Sequence, residues 1–531
     1  MSQKLSVFLI KSGLIKAEDI IKSDNEIKEY EVIIIPEKKD TQKGNGTPAK
    51  KGKFFFKTSF VKTPSWYSLF GNSIDDFDPN NLKTKNISAV LLLEVKNRVF
   101  ALTFGYGRSL LNSDSWEEQF GLRVCMNSID KDDFRVVERK NLDTMITHNK
   151  TQMNRKCSID EFAIDYYNIL LKAVSGEAKD KKFAKKLTGA DSLSINCEVS
   201  LQTLPNKCAA ILSAYSSDDY KQEFPWMENL REVPKNIIDD LNNQMMDNIR
   251  QKNFEKVFLA VPEMIEWSNF SGFQFKKDAQ DSNVDILIED FYQTLRNVQK
   301  LSVNTLKNSR HVYAVDSNTD NPIKMWSVYK CLNCEIQDND QRYILTDGKW
   351  FAVSKSFVDE IEKKIKSIKK YQTPLIPAQK TESEKEYNIR LSKSIHGSEN
   401  LDAKNIQYGG GHSKIEFCDV YSKNKELFHV KRYSGSAVLS HLFSQGYNSA
   451  KLLLRDQVFR QGVNAILPPT LHLPSAVPIA NEYSIVFGII SKEANKVPSN
   501  LPFFSKLTLE RTVEELQFMG VNVYVSGIQI Q

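Results

Sequence analysis

The last third of the chain is organised around Lys414–Lys451, which reads KIEFCDVYSKNKELFHVKRYSGSAVLSHLFSQGYNSAK. Polar and apolar residues alternate in its first half, a pattern that predicts two short strands joined by a polar turn. A helix rich in hydroxyl and amide side chains is predicted to follow. Asp419 closes the first strand, and His429 and Lys431 lie two residues apart on the second. Because side chains alternate between the faces of a strand, His429 and Lys431 are expected on one face.

An acid on one strand and a lysine on the next strand is the arrangement of metal-dependent nucleases of the PD-(D/E)xK type. In these enzymes the lysine follows a second acid by two residues, and the two acids bind Mg²⁺, which prefers hard oxygen ligands. This chain has His429 at the position of the second acid. We therefore predict a catalytic group made of Asp419, His429, Lys431 and Glu416, with Mg²⁺ as the cofactor.

The histidine at position 429 leaves the source of the second metal ligand open. Glu416 can supply it, and so can an upstream acid such as Glu386, so the predicted metal ligands are Asp419, Glu416 and Glu386. On a short predicted helix before the first strand, Glu386 or Glu384 would lie where this nuclease class often keeps a helical glutamate. The alternative is that the hairpin binds no metal, and that its polar side chains face solvent or cap the next helix.

A second group of polar residues surrounds the start of the predicted helix. Hydroxyl groups, free backbone N–H groups and an arginine make a phosphate-binding corner there. The residues expected to contact nucleic acid are Arg432, Ser434, Ser436 and Gln445. Ordinary N-capping by Ser434 or Ser436 is the alternative explanation.

The length of 531 residues predicts two to four compact units, and a hydrophobic content of 41% is typical of an ordered globular protein. The predicted fold class is α/β, as a mixed α+β multidomain protein whose C-terminal domain has a restriction-endonuclease-like mixed sheet. The predicted divisions are an N-terminal α/β domain over 1–230 with a mobile loop at 41–53, a helical connector over 231–305, a small strand–helix segment over 306–372, and a nuclease-like domain over 380–531. The proline-containing segment 373–380 is the predicted linker.

The chain lacks the sequence features of a membrane or secreted protein. No segment reaches the roughly 18 consecutive apolar residues of a membrane span, and the first residues lack a signal-peptide pattern. We therefore expect a cytoplasmic protein without a membrane partner, in which the seven cysteines are free thiols. A net charge of +6 permits a nucleic-acid partner without requiring one. Assembly into a homo-oligomer is left open.

Local patterns predict several further elements. Lys96-Asn97 and Asp347-Gly348 each separate two alternating segments, so both are predicted to be hairpin turns. The apolar run 120–129 is predicted to be a strand, and 160–174 is predicted to contain a helix. Lysines at 363–370 are predicted to cover the exposed face of a helix, where they are also available to nucleic acid.

Several strings spread over nearly the whole chain resemble a sporadically distributed bacterial family of about this length whose function is unknown. The strings are ALTFGYGRSLL (101–111), FGLRVCMNSID (120–130), LTGADSL (187–193), KIEFCDVYSKNKELFHVKR (414–432), VLSHLFSQGYNSAKLL (438–453), YSIVFGII (483–490) and LPFFSKLTL (501–509). Members of that family tend to occur near mobile or defence-associated genes, so the resemblance implies a role in bacterial conflict, such as restriction of phage or plasmids. The resemblance brings no established catalytic residues to this chain.

Together the local pattern and the resemblance predict a bacterial defence protein, directed against phage or other mobile elements, with a Mg²⁺-dependent nuclease-like C-terminal domain acting on DNA or RNA. The alternative is a non-enzymatic sensor or scaffold that binds nucleic acid or a phage protein. A nucleotide-dependent enzyme using the turn 105–108 is a third hypothesis, although this turn lacks the complete glycine fingerprint of a nucleotide site.

Overall fold

The computed structural model describes residues 2–34, 50–58, 78, 82–83, 85–112, 115–142, 146–162, 164, 169–254, 256–265, 270–277, 282–283, 285–316, 322–408, 413–433 and 436–531. Most of the predicted mobile loop 41–53 lies outside these residues. The chain forms two compact units, Met1–Lys140 with Asn149–Met227, and Asn141–His148 with Glu228–Gln531. Sheets and helices occur in both units, which confirms the predicted mixed α+β fold.

Ten strands of the N-terminal region form one sheet, in the order β2-β3-β4-β5-β1-β10-β9-β8-β6-β7. The strands are β1 (Ser2–Leu9), β2 (Lys28–Ile34), β3 (Lys50–Thr58), β4 (Ile87–Val95), β5 (Arg98–Gly105), β6 (Ile129–Asn141), β7 (Thr147–Cys157), β8 (Ile169–Ala178), β9 (Lys186–Gly189) and β10 (Leu193–Glu198). Lys96 and Asn97 have positive φ angles of 50° and 60° between the paired strands β4 and β5, as a two-residue hairpin turn requires. The predicted hairpin is therefore confirmed.

The helices of the first unit are α1 (Ala17–Ile20), α2 (Phe120–Ser128), α3 (Leu204–Ser216) and α4 (Tyr220–Glu223). The prediction of a strand at 120–129 is wrong, because this run is the helix α2. Residues on several sides of α2 are buried, among them Phe120, Leu122 and Val124. A short, mostly apolar run can form a buried strand or a buried helix, so its periodicity cannot separate the two.

The prediction of a helix within 160–174 is also wrong. A short 3₁₀ helix covers Ile159–Phe162, and the residues from Ile169 onward belong to strand β8. Strand β8 pairs with β9, with Val174 opposite Gly189. Pairing across the sheet therefore overrides the local helical spacing, since strand formation depends on its neighbours more than on propensity.

The second unit begins with two antiparallel sheets. Its first nine helices and strands in chain order are β11 (Leu230–Glu232), α5 (Lys235–Arg250), β12 (Val257–Leu259), β13 (Phe270–Gln274), α6 (Ile288–Gln293), α7 (Val303–Asn308), β14 (His311–Asp316), β15 (Pro322–Ser327) and α8 (Val328–Cys331). They are followed by β16 (Leu332–Asp338), β17 (Gln341–Thr346), β18 (Lys349–Val353) and α9 (Lys355–Ser367). The sheet orders are β11-β18-β17-β16-β12 and β13-β14-β15. Asp347 and Gly348 have positive φ angles of 54° and 78°, which confirms the second predicted hairpin turn.

The last third of the chain builds a mixed five-stranded sheet. Its elements are α10 (Glu384–Ser394), β19 (Ser398–Asn400), β20 (Asn405–Tyr408), β21 (Ser413–Glu416), β22 (Val420–Ser422), β23 (Glu426–Arg432), α11 (Ser436–Arg455), α12 (Gln457–Asn464), β24 (Ser484–Ser491), α13 (Phe503–Phe518) and β25 (Asn522–Gln529). The order is β19-β22-β23-β24-β25. The pairs β19/β22 and β22/β23 are antiparallel, whereas β23, β24 and β25 run parallel.

Helices cover both faces of this mixed sheet. Tyr387 and Leu391 of α10 share one hydrophobic cluster with Phe428 and Val430 of β23. On the opposite face, Phe443 of α11 contacts Phe487 of β24, with ring centroids 5.2 Å apart. Seven of the eight β24 residues are buried, as expected for a parallel strand covered on both faces.

The segment 373–380, predicted as a linker, packs onto the mixed sheet. Ala378 is fully buried and its N–H donates to the Gln529 carbonyl at 2.9 Å. Lys380 N–H donates to the Gln531 carbonyl at 3.0 Å. The prolines interrupt regular structure, but the chain after them runs beside the end of β25.

Helix α13 is joined to the preceding five-stranded sheet of the same unit by a buried carboxylate. Glu335 of β16 accepts hydrogen bonds from the backbone N–H groups of Phe503 and Phe504, at 2.7 and 3.3 Å. These N–H groups begin the helix and have no partner within it, so the carboxylate satisfies them and complements the helix dipole. No helix in the described part of the chain is both long and apolar enough to cross a bilayer.

Candidate functional site

The candidate site lies at the carboxyl end of β23, beyond the first residue of its antiparallel neighbour β22. Strand β22 begins at Val420, which is paired with Phe428, so the last residues of β23 have no strand partner on that side. Asp419 precedes β22 directly. Its N–H donates to the Phe428 carbonyl at 2.9 Å, and its Oδ2 accepts the N–H of Val430 at 2.6 Å. The Asp419 carboxylate thus supplies the hydrogen-bond acceptor that the carbonyl of a neighbouring strand would otherwise supply to Val430.

Asp419 does not close a continuous strand, contrary to the sequence-based prediction. The chain leaves β21 at Glu416, and β21 pairs with β20 in a separate two-stranded sheet. Phe417 and Cys418 are both buried, although neighbouring residues of a strand point to opposite faces. The chain therefore passes through the core here and enters the mixed sheet only at Val420.

Glu384, the first residue of α10, provides a second carboxylate on the same open edge. Its Oε1 accepts the backbone N–H of Arg432 at 2.9 Å, and its Oε2 accepts from Lys431 Nζ at 2.8 Å. Asp419 and Glu384 consequently hold the N–H groups of alternate residues on β23, with Lys431 between them. Side chains at the start of a helix are well placed for this role, because the helix N-terminus favours negative charge.

Burial controls the ionisation of Asp419. The residue is only 7% exposed, and burial raises the pKa of its carboxyl group from 3.8 to about 7. The hydrogen bond from Val430 and the charge of Lys431 oppose this rise, whereas the charges of Asp402 and Glu416 add to it. A carboxylate that ionises with this difficulty is stabilised by any cation that reaches it.

Lys431 keeps its charge despite being half-buried. Burial acts to lower the pKa of its ammonium group, but the hydrogen bond to Glu384 and the charges of Glu384, Asp419 and Glu416 together raise it. Lys431 is therefore a permanent cation at neutral pH rather than a base. Its side chain is 25% exposed, so its charge can still act on a ligand.

Glu416 is held near this group by α11. Its Oε2 accepts from Gln445 Nε2 at 3.2 Å, and its backbone carbonyl accepts from Ser449 Oγ at 3.3 Å. Its charge acts on both Asp419 and Lys431. Of the residues singled out from the sequence, the structure therefore gathers Asp419, Lys431 and Glu416, with Gln445 bound to the last.

His429 lies in the core between the mixed sheet and α11. It is 2% exposed, its ring centroid lies 6.3 Å from that of Phe487, and its Nε2 has no hydrogen-bond partner among the described residues. Burial lowers the pKa of the imidazole to about 3, so it is neutral at physiological pH. His429 is therefore packed in the core, and its Nε2 makes no hydrogen bond to Asp419, Glu416 or Glu384.

Glu386 and Arg432 take local structural roles. Glu386 Oε2 accepts the Ser383 N–H at 2.8 Å, and the Ser383 hydroxyl accepts the Glu386 N–H at 3.2 Å, which is a capping box. The Arg432 guanidinium donates to the carbonyls of Gln379 and Glu382, at 3.0 and 2.8 Å. Glu384, rather than Glu386, is the helical glutamate that contacts Lys431.

Two of the predicted nucleic-acid contacts cannot be placed. Ser434 lies outside the described residues, and so does the side chain of Ser436, although Ser436 begins α11. The described residues contain no group of three or more His, Cys, Asp or Glu side chains close enough to hold a metal ion. All seven cysteines are free and buried, including Cys331 and Cys334.

Mg²⁺ fits the residues present when it takes one or two protein carboxylates. This ion keeps most of its water and binds few protein oxygens. Asp419 and Glu416 are carboxylates with the hard oxygen atoms that this ion prefers. Burial is the main cause of the raised pKa of Asp419, and the charge of Glu416 adds to it only slightly. A third ligand from the protein, as sequence reasoning expected from Glu386, is absent from the described part of this site.

Glu384 was the residue that sequence reasoning did not single out firmly, although a signal for it exists. Ser383 and Glu386 have the spacing of a capping box, which fixes Ser383 as the N-cap. Glu384 then becomes the first helical residue, at the positive end of the helix dipole. The sequence could not show that this helix end meets β23.

The family profile of a family of unknown function, DUF6119, matches residues 5–529, so the chain belongs to this family. The match covers nearly the whole length and confirms the resemblance found in the sequence. No curated protein shows a significant match to the chain. No solved structure does so either.

Proposed function

We propose that this protein is a cytoplasmic bacterial defence protein whose mixed sheet carries a Mg²⁺-dependent nuclease site. The observation that carries the proposal is the arrangement on the open edge of β23. Asp419 and Glu384 bind the N–H groups of Val430 and Arg432, with the charged Lys431 between them and the charge of Glu416 nearby. A mixed sheet with an acid before one strand and a lysine on the next fits the nuclease pattern.

The roles of the residues follow from their charges and contacts. Asp419 and Glu416 would hold Mg²⁺, which when bound polarises a phosphoryl oxygen and makes water more acidic. Lys431 remains protonated, and its ammonium group stabilises negative charge that develops on a phosphate. Glu384 positions Lys431 through the 2.8 Å hydrogen bond. Gln445 orients Glu416.

The experiment is a cleavage assay on circular and linear DNA and on single-stranded RNA, with Mg²⁺, Mn²⁺ or EDTA. Asp419→Ala and Lys431→Ala should each abolish metal-dependent cleavage, because each removes a charge that acts on the phosphate or the metal. Lys404→Ala is the matched control. It removes a lysine of the same unit that forms an exposed ion pair with Glu399, at 3.0 Å, and activity should persist.

Folding must be checked in the same preparations, since Asp419 is buried. A circular dichroism spectrum and a melting curve like those of the parent protein would show that lost cleavage reflects chemistry. Cleavage retained in both the Asp419 and Lys431 variants would eliminate this site as the source of activity. For the defence role, phage plating on cells that carry the parent or the Lys431 variant provides the biological test.

A non-enzymatic binder is the second candidate, and one observation favours it. The position of the second acid is occupied by His429, which is buried and neutral, and the described residues hold no group of three metal-binding side chains. A sensor or scaffold of this kind would bind nucleic acid with a steep salt dependence. It would cleave neither DNA nor RNA with any divalent ion.

A further inference from the structure

The carboxyl ends of the parallel strands carry three exposed lysines that the sequence pattern did not single out. They are Lys380, Lys385 and Lys492. Ligands of open sheets with parallel strands bind outside the carboxyl ends of those strands. Lys380 and Lys385 are close in sequence, whereas Lys492 follows β24, so only the tertiary structure brings Lys492 to the same end of the sheet.

Hydrogen bonds of neighbouring residues connect each lysine to the candidate site. Lys380 follows Gln379, whose carbonyl accepts from the Arg432 guanidinium at 3.0 Å. Lys385 follows Glu384, which binds Lys431. Lys492 follows the end of β24, two residues beyond Ile490, whose carbonyl accepts the Tyr433 N–H at 2.9 Å. Each lysine therefore lies within two residues of a group that contacts residues 431–433.

Three of the acids at the same end of the sheet are paired with a cation. Arg390 binds both carboxylate oxygens of Glu382, at 2.7 and 2.9 Å, and Lys496 binds Glu493 at 2.7 Å. Glu384 is paired with Lys431. Glu386 keeps its charge and caps α10 through Ser383.

The three lysines themselves have no ion pair within the part of the chain that the structure describes. The three unpaired ammonium groups create a positive potential around this end of the sheet. Such a potential attracts a polyanion and raises its local concentration. Arg432 adds a further positive charge while its guanidinium holds the segment that carries Lys380.

We propose that Lys380, Lys385 and Lys492 form the phosphate-backbone contact surface of this protein, and that they hold a nucleic-acid strand across the end of β23. This inference rests on the proposed function, because it supplies the binding surface for the same site. The contacts are to phosphodiester groups, which DNA and RNA share. Sequence-independent binding follows, since phosphate contacts position a strand without reading its bases.

The test is equilibrium binding in EDTA, where cleavage cannot interfere, by fluorescence anisotropy with labelled duplex DNA or single-stranded RNA. The affinity is measured over a series of salt concentrations. Each phosphate contact contributes about 0.9 to the slope of log affinity against log salt for duplex DNA, and about 0.7 for single strands. Replacing Lys380, Lys385 and Lys492 together by Gln should lower this slope by about 2 to 3.

A matched control with the same change in charge is available elsewhere in the same unit. Lys235, Lys276 and Lys300 are exposed lysines without an ion pair among the described residues. The triple variant Lys235→Gln, Lys276→Gln, Lys300→Gln should keep the parental slope. Equal losses in both triple variants would overturn the proposal, because they would show an effect of net charge alone.

The remaining outcomes separate this proposal from the nuclease proposal. A lower slope in the Lys380, Lys385 and Lys492 variant, without cleavage by the parent protein, supports the binding surface and contradicts the nuclease proposal. Full cleavage with an unchanged slope in that variant overturns the binding surface and is consistent with the nuclease proposal. A parent protein that binds neither DNA nor RNA overturns the surface outright. Comparison of the two probes identifies the preferred nucleic acid.

Discussion

The buried carboxyl group of Asp419 should make the stability of the protein depend on pH in a defined direction. Because its pKa rises from 3.8 to about 7, the folded state binds a proton that the unfolded state has already lost between these values. Stability from this group is fully present below pH 3.8 and is lost as the pH rises towards 7. One pH unit corresponds to about 1.4 kcal/mol, so the loss amounts to about 4 kcal/mol.

Asp419→Asn removes this dependence. The amide has nearly the same shape and cannot ionise, and its carbonyl oxygen can still accept the Val430 N–H. The variant should match the parent protein near pH 4 and exceed its stability by up to about 4 kcal/mol above pH 8. Taking the difference between the two proteins cancels every other titrating group.

The assay is differential scanning calorimetry from pH 4 to pH 9 in EDTA, with the parent and the Asn variant in parallel. Hydrogen exchange at the Val430 amide reports the same event locally, because this N–H is bonded to Asp419. Addition of Mg²⁺ at pH 8 should raise the melting temperature of the parent alone, since a ligand that binds the folded state stabilises it. A stability difference that stays constant with pH, or that favours the parent at high pH, would refute the reasoning.

Three further predictions concern the packing around the site. His429→Leu should gain stability relative to the parent as the pH falls below 6.5, by up to about 5 kcal/mol near pH 3. The reason is that burial lowers the pKa of the imidazole to about 3, so the folded state keeps it neutral while the unfolded state binds a proton. Unchanged nuclease activity in this variant would confirm that His429 takes no part in chemistry. Gly446→Ala should destabilise the protein by about 1–3 kcal/mol, because the new Cβ would lie 2.5 Å from Phe487. Asn448→Ala, on the exposed face of the same helix, is the control and should change stability little. Thermal melts measure both variants. Arg460→Met should make the loop 467–478 more sensitive to limited proteolysis. The buried guanidinium donates to the carbonyls of Leu453, Pro474 and Ser475, and the substitution removes these hydrogen bonds. An unchanged proteolysis pattern would contradict this.

Turns and amphipathic helices were readable from the sequence because their signals are local. Asn97, Asp347 and Gly348 adopt the positive φ angles that their residue types tolerate, and Lys96 adopts the positive φ angle that its position in the two-residue turn requires. Helix α9 buries Phe357, Ile361 and Ile365 at helical spacing, as a 3.6-residue period requires. Such features depend on residues within one or two turns of each other, so neighbouring residues suffice to specify them.

The two mistaken elements show where local information fails. Residues 120–128 are mostly apolar, and a short run of this kind suits a buried helix as well as a buried strand. Residues 169–178 form a strand because β9 lies beside them, with Ser175 opposite Thr188. In both places the partner in the fold, rather than the residues themselves, selects the conformation.

At the candidate site, the sequence by itself determined which residue types were available: an acid at 419, a lysine at 431 and an acid at 416. The tertiary structure decided their surroundings. Strand β22 begins only at Val420, so Asp419 and Glu384 accept the N–H groups of Val430 and Arg432 that have no strand partner on that side. His429 is buried beneath α11, and its Nε2 has no hydrogen-bond partner among the described residues. The alternation of a strand places His429 and Lys431 on one face, but only the packing of a helix over half of that face leaves one side chain in the core and the other near solvent.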